Sequence, residues 1–259
     1  MVQLPVFPQA PVDIHCHFNH GSTLDIAENP LSCTGIRFLQ ESYRHMGIAW
    51  GGISTFASVY HPNGEGVTES NRWLFDFTQR EDWVRQWVVV DPRIPESFQQ
   101  AKTMLESPKT LGIKIHPVFH QYDLAQYGDE IFSFANDLDA VVLMHPVMTP
   151  EGMEQVSHFA DKYPKMRLIL AHLCSEEHVD VIQNAKHGNV FTDTSGSASY
   201  MNNVLEYAVD RIGSDRILFG TDGYSAEFQF GRVALSRLSF ADKENILYRN
   251  ARALFPKAF

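Results

Sequence analysis

The chain has 259 residues, 44% hydrophobic and 20% charged, which is enough apolar material for one large domain or two small ones. Its 21 Lys and Arg against 31 Asp and Glu give a formal charge of −10 with no basic run, so nucleic acid is excluded as an expected partner. No stretch approaches the ~20 apolar residues of a membrane helix, and no signal peptide is recognised. We therefore expect no membrane partner.

The three cysteines argue against disulfides and structural zinc. Cys16, Cys33 and Cys174 are odd in number and show no Cys-x-x-Cys spacing. This usage favours a reducing, cytoplasmic location. We expect Cys16 and Cys174 to pack as small apolar groups.

Strand-like runs and helical patterns alternate along the whole chain. Eight runs predict strands over residues 12–18, 49–59, 83–90, 111–117, 140–146, 167–172, 190–196 and 217–223. Apolar residues at helical spacing predict helices over residues 36–46, 68–80, 95–107, 129–137, 150–162, 175–186 and 200–212, and further helix up to residue 254. Eight such units predict an α/β fold, a single domain over 1–259 built as a TIM-type (β/α)8 barrel. A doubly wound sheet competes with this arrangement, but the position of the polar residues favours the barrel.

The first predicted strand carries a His-x-His pair. Side chains alternate along a strand, so Asp13, His15 and His17 are predicted to share one face. Two imidazoles on one face are well placed to bind one metal ion. A catalytic metal needs further ligands, so the remaining ones must come from elsewhere in the chain.

Polar side chains recur where the other predicted strands end, the edge at which barrel enzymes place their active sites. They are Lys114, His116, His145, His172, Asp193 and Asp222. One shared metal explains five strand-end histidines together, whereas hydrogen bonding explains each only singly. Imidazole and carboxylate ligands without thiolate suit Zn²⁺, Mn²⁺ or Fe²⁺, and such an ion activates water near neutral pH. Asp222 is placed to accept the proton of that water, and a nearby histidine to act as a general base.

Read in order, these motifs resemble the amidohydrolase superfamily. Asp-x-His-x-His, Gly-Ile-Lys-Ile-His-Pro, a strand-end His-Pro, Leu-Ala-His and Phe-Gly-Thr-Asp-Gly are similar to its amidohydrolase-2 branch, which includes aminocarboxymuconate-semialdehyde decarboxylase. The resemblance covers nearly the whole chain. It implies a distorted (β/α)8 barrel with a divalent metal, often zinc, and is compatible with a homodimer. The matching metal ligands are His15, His17, His145 and Asp222, and His172 matches the histidine that activates water in mononuclear members and binds a second metal in binuclear ones.

Lys114 has two interpretations under this resemblance. In mononuclear members the lysine is available to bind substrate, which is the reading the local motif favours. In binuclear members a carboxylated lysine bridges two metals. A third interpretation is a buried ion pair with Asp193 or Asp222. His116 is spaced to share the face of Lys114, so either substrate contact or a structural hydrogen bond fits it.

Other candidates lie near the predicted barrel mouth. Arg93, after the third strand, is a candidate clamp for a substrate carboxylate or a loop arginine in a salt bridge. Tyr224 is a candidate substrate-binding residue, and with Thr194 and Ser195 it either lines the pocket or caps turns. His178 lies in a predicted helix and is expected to be solvated.

These observations give three hypotheses for function. The first is a metal-dependent hydrolase that opens a small-molecule ester, lactone or amide, with His172 and Asp222 as the catalytic residues. The second is a non-oxidative decarboxylase or hydratase that uses the same metal site. The third is an inactive barrel that only binds ligand, against which the intact set of ligands argues.

Overall fold

The computed structural model describes residues 5–19, 35–196, 199, 202–224 and 226–259. Eight parallel strands neighbour one another in chain order: β1 Asp13–Phe18, β2 Gly51–Thr55, β3 Val84–Val89, β4 Thr110–Ile115, β5 Val141–Met144, β6 Arg167–Leu170, β7 Val190–Asp193 and β8 Ile217–Leu218. At least one helix follows each strand, and this arrangement confirms the predicted TIM-type (β/α)8 barrel.

The described α-helices surround the strands. They are Ile36–Met46, Phe56–Val59, Val67–Arg80, Pro95–Met104, Pro117–His120, Leu124–Asp137, Pro150–Lys162, Glu176–Asn184, Val204–Ile212, Ala226–Ala234, Phe240–Glu244 and Asn250–Leu254, the last two joined by a π-helical turn, Asn245–Arg249. None of the helices in the described part of the chain is long and apolar enough to cross a membrane.

Backbone hydrogen bonds connect the segment after β8 to β1, the first strand. Ile14 N–H donates to the Phe219 carbonyl at 2.9 Å, and Thr221 N–H donates to the His15 carbonyl at 3.0 Å. The buried Asp13 carboxylate strengthens this junction, because it accepts hydrogen bonds from both the backbone N–H and the hydroxyl of Thr221. The barrel is thereby nearly closed, with the ends of β1 and β8 side by side.

Apolar side chains fill the barrel and the layer between strands and helices. The interior cluster includes Val12, Ile14, Trp50, Trp87, Leu111, Val141, Leu143, Ile169, Ala171 and Leu218. Trp87 is fully buried, and its indole N–H donates to the Ile14 carbonyl at 2.7 Å. This packed interior closes the barrel floor, so polar chemistry is confined to the opposite, carboxyl end of the strands.

Among the element boundaries that differ from the predictions, two have clear local reasons. The predicted strand over 49–59 ends at Thr55, because the Thr55 side chain accepts a hydrogen bond from Ser58 N–H and begins a short helix. The helix predicted to begin at Asp129 begins at Leu124, after Asp123 caps it by accepting from Ala125 N–H. The start of the helix predicted over 200–212 lies outside the described residues.

The tight packing of β4 predicts a large effect of one methyl group. A Cβ at Gly112 would lie 2.2 Å from the Val141 carbonyl oxygen and 2.7 Å from the Trp87 ring. Gly112→Ala is therefore expected to cost about 2–3 kcal/mol of unfolding free energy, measured from urea unfolding midpoints. Gly231→Ala is the control, since no described residue has an atom within 4 Å of its Cβ position and a helical alanine is expected to stabilise by up to about 1 kcal/mol. Equal midpoints for the two variants would contradict this packing.

Candidate metal centre

A bulge in β1 decides which of its side chains face the barrel mouth. The pairing of β1 with β2 shifts register between Asp13 and Cys16, as happens where a bulge inserts one extra residue. The predicted common face of Asp13, His15 and His17 is therefore wrong for Asp13, whose carboxylate accepts a hydrogen bond from the Tyr43 hydroxyl at 2.6 Å. His15 and His17 do converge, and their Nε2 atoms lie 3.2 Å apart.

Asp222 joins this pair from the segment after β8. Its backbone is left-handed, with φ 61°, and its N–H donates to the His15 carbonyl at 2.8 Å. Its Oδ1 lies 3.6 Å from His15 Nε2 and 3.4 Å from His17 Nε2. A non-glycine residue in this conformation costs about 1–3 kcal/mol, and such residues cluster at functional sites. The structure thus brings three of the four candidate ligands together.

Hydrogen bonds from Nδ1 of His15 and of His17 leave these two rings, together with Asp222, able to bind a cation. His17 Nδ1 donates to the Ser54 carbonyl at 2.8 Å, and His15 Nδ1 donates to Asp193 Oδ2 at 2.9 Å. The protons of both rings are then on Nδ1, so both Nε2 atoms present lone pairs. Two imidazole lone pairs and the Asp222 oxygen therefore converge with no proton between them. The donor set and its supporting hydrogen bonds are those of a divalent-metal site.

Burial and charge keep these groups in the protonation states that a metal requires. Burial, with the nearby Lys114 charge, lowers the pKa of His15 to about 3, so its imidazole is neutral. Burial opposes ionisation of Asp222, but its 3.4 Å contact with the His17 ring and the neighbouring imidazoles hold its pKa well below the usual range. The carboxylate is therefore ionised at neutral pH.

His145, the fourth candidate ligand, contacts the centre through His172. His145 Nδ1 lies 3.1 Å from His172 Nε2, and it is not among the groups of ligand atoms that lie within 4.8 Å of one another in the described residues. Burial lowers the pKa of both imidazoles. His172 also has a left-handed backbone, with φ 65°, which turns its ring from the end of β6 towards the mouth.

Ser195 determines which nitrogen of His172 carries the proton. The Ser195 hydroxyl donates to Asp193 Oδ1, an acceptor only, so towards His172 Nδ1, 2.8 Å away, it can only accept. His172 is therefore protonated at Nδ1 and carries a lone pair on Nε2. His145 Nδ1 must donate to that lone pair, which leaves Nε2 of His145 free of its proton. The sequence left Ser195 open between lining the pocket and capping a turn; in the structure it orients the His172 ring.

Replacing Ser195 should be visible in the tautomer of His172. In Ser195→Ala we expect a substantial population of the Nε2–H tautomer, detected in two-bond ¹H–¹⁵N spectra of the histidine rings. Loss of such a supporting contact typically lowers activity about 10–100-fold. Ser133→Ala is the control, because Ser133 bonds only to the Glu130 carbonyl on an outer helix among its described contacts. A His172 that stays protonated at Nδ1 in both variants would refute the role of Ser195.

Lys114 on β4 is the cation beside this centre. Its side chain is buried, and Nζ lies 3.1 Å from His15 Nε2. Burial lowers the pKa of Lys114 to about 8, against the opposing effect of the Asp222 and Asp193 charges. The second group of ligand atoms within 4.8 Å, on His15, His172 and Asp193, is already joined by hydrogen bonds. The amine of Lys114 therefore lies in contact with the candidate metal centre.

His116 and Arg93 both have structural contacts. The His116 ring stacks on His145 with centroids 4.0 Å apart, and its Nδ1 accepts from Phe119 N–H. The Arg93 guanidinium donates twice to Asp91 and once to the His120 carbonyl. These Arg93 contacts are those of the loop salt bridge, the second interpretation given to it above.

Four aromatic side chains surround the mouth, and we call them the aromatic rim: Phe56, Tyr60, Phe119 and Tyr224. Phe56 lies 5.3 Å from the His17 ring and 5.2 Å from the Tyr224 ring, by centroids. The hydroxyls of Tyr60 and Tyr224 lie 3.4 Å apart. Sequence reasoning singled out only Tyr224. The available signal for the others was their position just after β2 and β4, where barrel enzymes place substrate-contacting loops.

Two predictions concern residues outside the candidate metal centre, namely His178 and the cysteines. His178 was expected to be solvated, and this is wrong: it is fully buried, 3.1 Å from the Thr192 hydroxyl. A helix pattern alone does not show which face packs on the barrel. Cys16 is buried and unpaired, Cys174 is unpaired and partly exposed, and Cys33 lies outside the described residues.

Comparison with solved structures places this architecture among known barrels. Dihydroxybenzoic acid decarboxylase from Polaromonas sp. JS666, with bound manganese and the inhibitor 2-nitroresorcinol, is 16% identical with a TM-score of 0.70, covering 96% of this chain and 97% of that one. 5-Carboxyvanillate decarboxylase from Novosphingobium aromaticivorans, with manganese and 4-hydroxy-3-methoxy-5-nitrobenzoic acid, is 15% identical with a TM-score of 0.71, covering 96% of both chains. An amidohydrolase from Burkholderia multivorans with bound zinc is 16% identical with a TM-score of 0.69, covering 96% and 99%.

At these identities the similar structures support the fold alone. No curated protein matches the sequence significantly. The amidohydrolase family model, in contrast, matches residues 12–257, which include every residue of the candidate centre. The chain therefore belongs to the amidohydrolase family, in its amidohydrolase-2 branch.

Proposed function

We propose that this chain is a divalent-metal-dependent enzyme that removes the carboxyl group of a small aromatic or unsaturated acid without oxidation. The observation that carries the proposal is the buried ammonium of Lys114, 3.1 Å from His15 Nε2. A cation in a low-dielectric site binds a substrate carboxylate strongly. Decarboxylation now comes before hydrolysis, the reverse of their order among the sequence-based hypotheses. The reason is that composition and motifs did not show the burial of Lys114 or the aromatic rim.

His15, His17 and Asp222 would hold the metal, with His145 as the fourth ligand. When bound, the metal supplies Lewis-acid polarisation of a substrate oxygen. The ion would be Mn²⁺ or Zn²⁺, both of which accept imidazole and carboxylate ligands. The proteins of similar structure named above carry these two ions and include decarboxylases, which supports the same class of reaction for this chain.

The residues of this chain would bind the substrate and transfer the proton. Lys114 pairs with the substrate carboxylate, and the aromatic rim stacks on a planar substrate body. Asp222 and the Nε2 lone pair of His172 would take up a proton from solvent and pass it to the carbon that loses the carboxyl group. The overall change consumes one proton and releases CO₂. His116 and Tyr224 would contact the substrate at the edge of the pocket.

Hydrolysis is the second candidate, and the state of His172 favours it. Burial keeps the His172 imidazole neutral, and its Nε2, whose lone pair accepts from His145 in the structure, is the atom that would remove a proton from water. In that reaction the same residues would act on an ester, lactone or amide, and one water would be consumed. The metal ligands are common to both candidates.

One experiment separates the two reactions. The protein loaded with Mn²⁺ or Zn²⁺ is incubated with carboxyl-¹³C aromatic and unsaturated acids, and in parallel with lactones and amides in ¹⁸O-water. Our proposal predicts ¹³CO₂ from at least one acid, lost in Asp222→Asn. Uptake of ¹⁸O into the product of a lactone or amide, with no ¹³CO₂, would establish the hydrolase instead.

A further inference from the structure

A second cluster of metal-binding atoms lies behind the loops that follow β5 and β6. Cys174 Sγ lies 3.8 Å from Met148 Sδ and 3.6 Å from His178 Nδ1. His178 is fully buried, Cys174 is partly buried and Met148 is about half exposed. We call these three side chains the sulfur cluster. None of them contributes to the candidate metal centre described above.

Hydrogen bonding fixes the tautomer of His178. The Thr192 hydroxyl donates to the Leu170 carbonyl at 2.8 Å, so towards His178 Nε2, 3.1 Å away, its oxygen accepts. The ring proton of His178 is therefore on Nε2. Its Nδ1 carries a lone pair, and the described contact of that lone pair is the Cys174 sulfur.

The sulfur cluster contains more hydrogen-bond acceptors than donated protons. Cys174 has one S–H and lies beside two acceptors, the imidazole nitrogen of His178 and the thioether of Met148. It can donate to only one of them. A buried nitrogen lone pair and a thioether sulfur therefore both lie against the Cys174 sulfur, and among the described contacts the thiol proton can satisfy one of them at a time.

The two distances from Cys174 Sγ match those between ligand atoms of one ion. Metal–sulfur bonds of about 2.3 Å and metal–nitrogen bonds of about 2.0 Å place ligand atoms roughly 3.5–4.0 Å apart in tetrahedral or trigonal geometry. The separations of 3.8 Å and 3.6 Å fall in this range. Thiolate and thioether are soft ligands that select Cu(I), whereas imidazole and carboxylate suit harder ions.

We propose that Cys174, Met148 and His178 form a binding site for a single Cu(I) ion, separate from the candidate metal centre. On binding, the thiol proton passes to solvent and a copper–thiolate bond forms, with no change in oxidation state. The half-exposed Met148, on the wall of a surface cavity of about 560 Å³, gives the ion a path from solvent. The bound ion would tie the loop after β5, which carries His145, to the loop after β6, which carries His172.

Anaerobic titration of the zinc-loaded full chain with Cu(I), against the chromophoric chelator bicinchoninate, tests this site. Zinc fills the nitrogen–oxygen centre, so the wild type should take up one Cu(I) per chain. Cys174→Ser should abolish this uptake. Met148→Leu, a change of a half-exposed side chain that keeps its volume, should weaken it about tenfold or more, since loss of even a supporting residue costs about 10–100-fold.

Two control variants test whether Cu(I) binding depends on the sulfur cluster itself. Met153→Leu changes the other methionine of the same cavity, and Cys33→Ser removes a cysteine outside the described residues; both should bind Cu(I) as the wild type does. X-ray absorption at the copper edge should show two sulfur ligands and one nitrogen ligand. Unchanged binding in both Cys174→Ser and Met148→Leu, or equal loss in the control variants, would overturn the proposal.

Discussion

Asp222→Asn is expected to lower kcat about 10²–10⁴-fold, the range for losing a group that transfers a proton in the transition state. Asparagine preserves the shape and one acceptor oxygen, so the contacts of that oxygen with His15 and His17 can persist. It removes the negative charge and cannot carry the proton. Steady-state kinetics on the substrate found by the carbon dioxide and ¹⁸O assays measures the effect.

The control for this variant is Asp215→Asn. Asp215 lies before β8 and is mostly exposed, so the same chemical change there should leave kcat unchanged. Thermal unfolding of both variants shows whether the fold is retained. A kcat of Asp222→Asn equal to that of the wild type would remove Asp222 from the catalytic residues.

Lys114→Met is expected to raise KM by about 30-fold or more while metal content stays the same. Removing one partner of a buried charge pair costs about 2–5 kcal/mol, and each 1.4 kcal/mol is tenfold in affinity. Methionine has a similar length and suits a buried position, so the substitution removes charge with little change in packing. Metal content by elemental analysis is measured beside KM.

The two measurements together decide the role of Lys114. Unchanged metal with raised KM agrees with an amine that binds the substrate carboxylate. Loss of metal from two equivalents to one or none would make Lys114 a carboxylated bridging ligand. Lys109→Met is the control, because the Lys109 ammonium contacts Asp82 and the Thr78 carbonyl away from the centre.

The order of elements could be predicted because each strand is a short apolar run between turn residues. All eight strands appear where the sequence places them, and the strand-end position of Asp222 follows from that alone. The bulge in β1 could not be predicted, because it depends on the tertiary contacts of Asp13 with Tyr43 and Thr221. A shift of one residue in register changes which face a side chain takes.

The hydrogen bonds that support the candidate metal centre also could not be predicted from the sequence. Ser54 and Ser195 are ordinary polar residues until pairing registers bring them against His17 and His172. Likewise Arg93 was open between a substrate clamp and a loop salt bridge, and His178 was expected to be solvated; the packing of neighbouring elements pairs Arg93 with Asp91 and buries His178. Residue type and strand position predicted which groups meet, and tertiary contacts determined how their protons are arranged.

Metal content per chain is the most direct test of a divalent metal held by His15, His17 and Asp222. The protein is purified without chelator, and elemental analysis is made on the wild type, His17→Ala and His158→Ala, the last an exposed histidine on an outer helix. We predict about one equivalent of Mn or Zn in the wild type and in His158→Ala, and little or none in His17→Ala. Reproducible absence of metal from the wild type, even after incubation with both ions, would contradict the account.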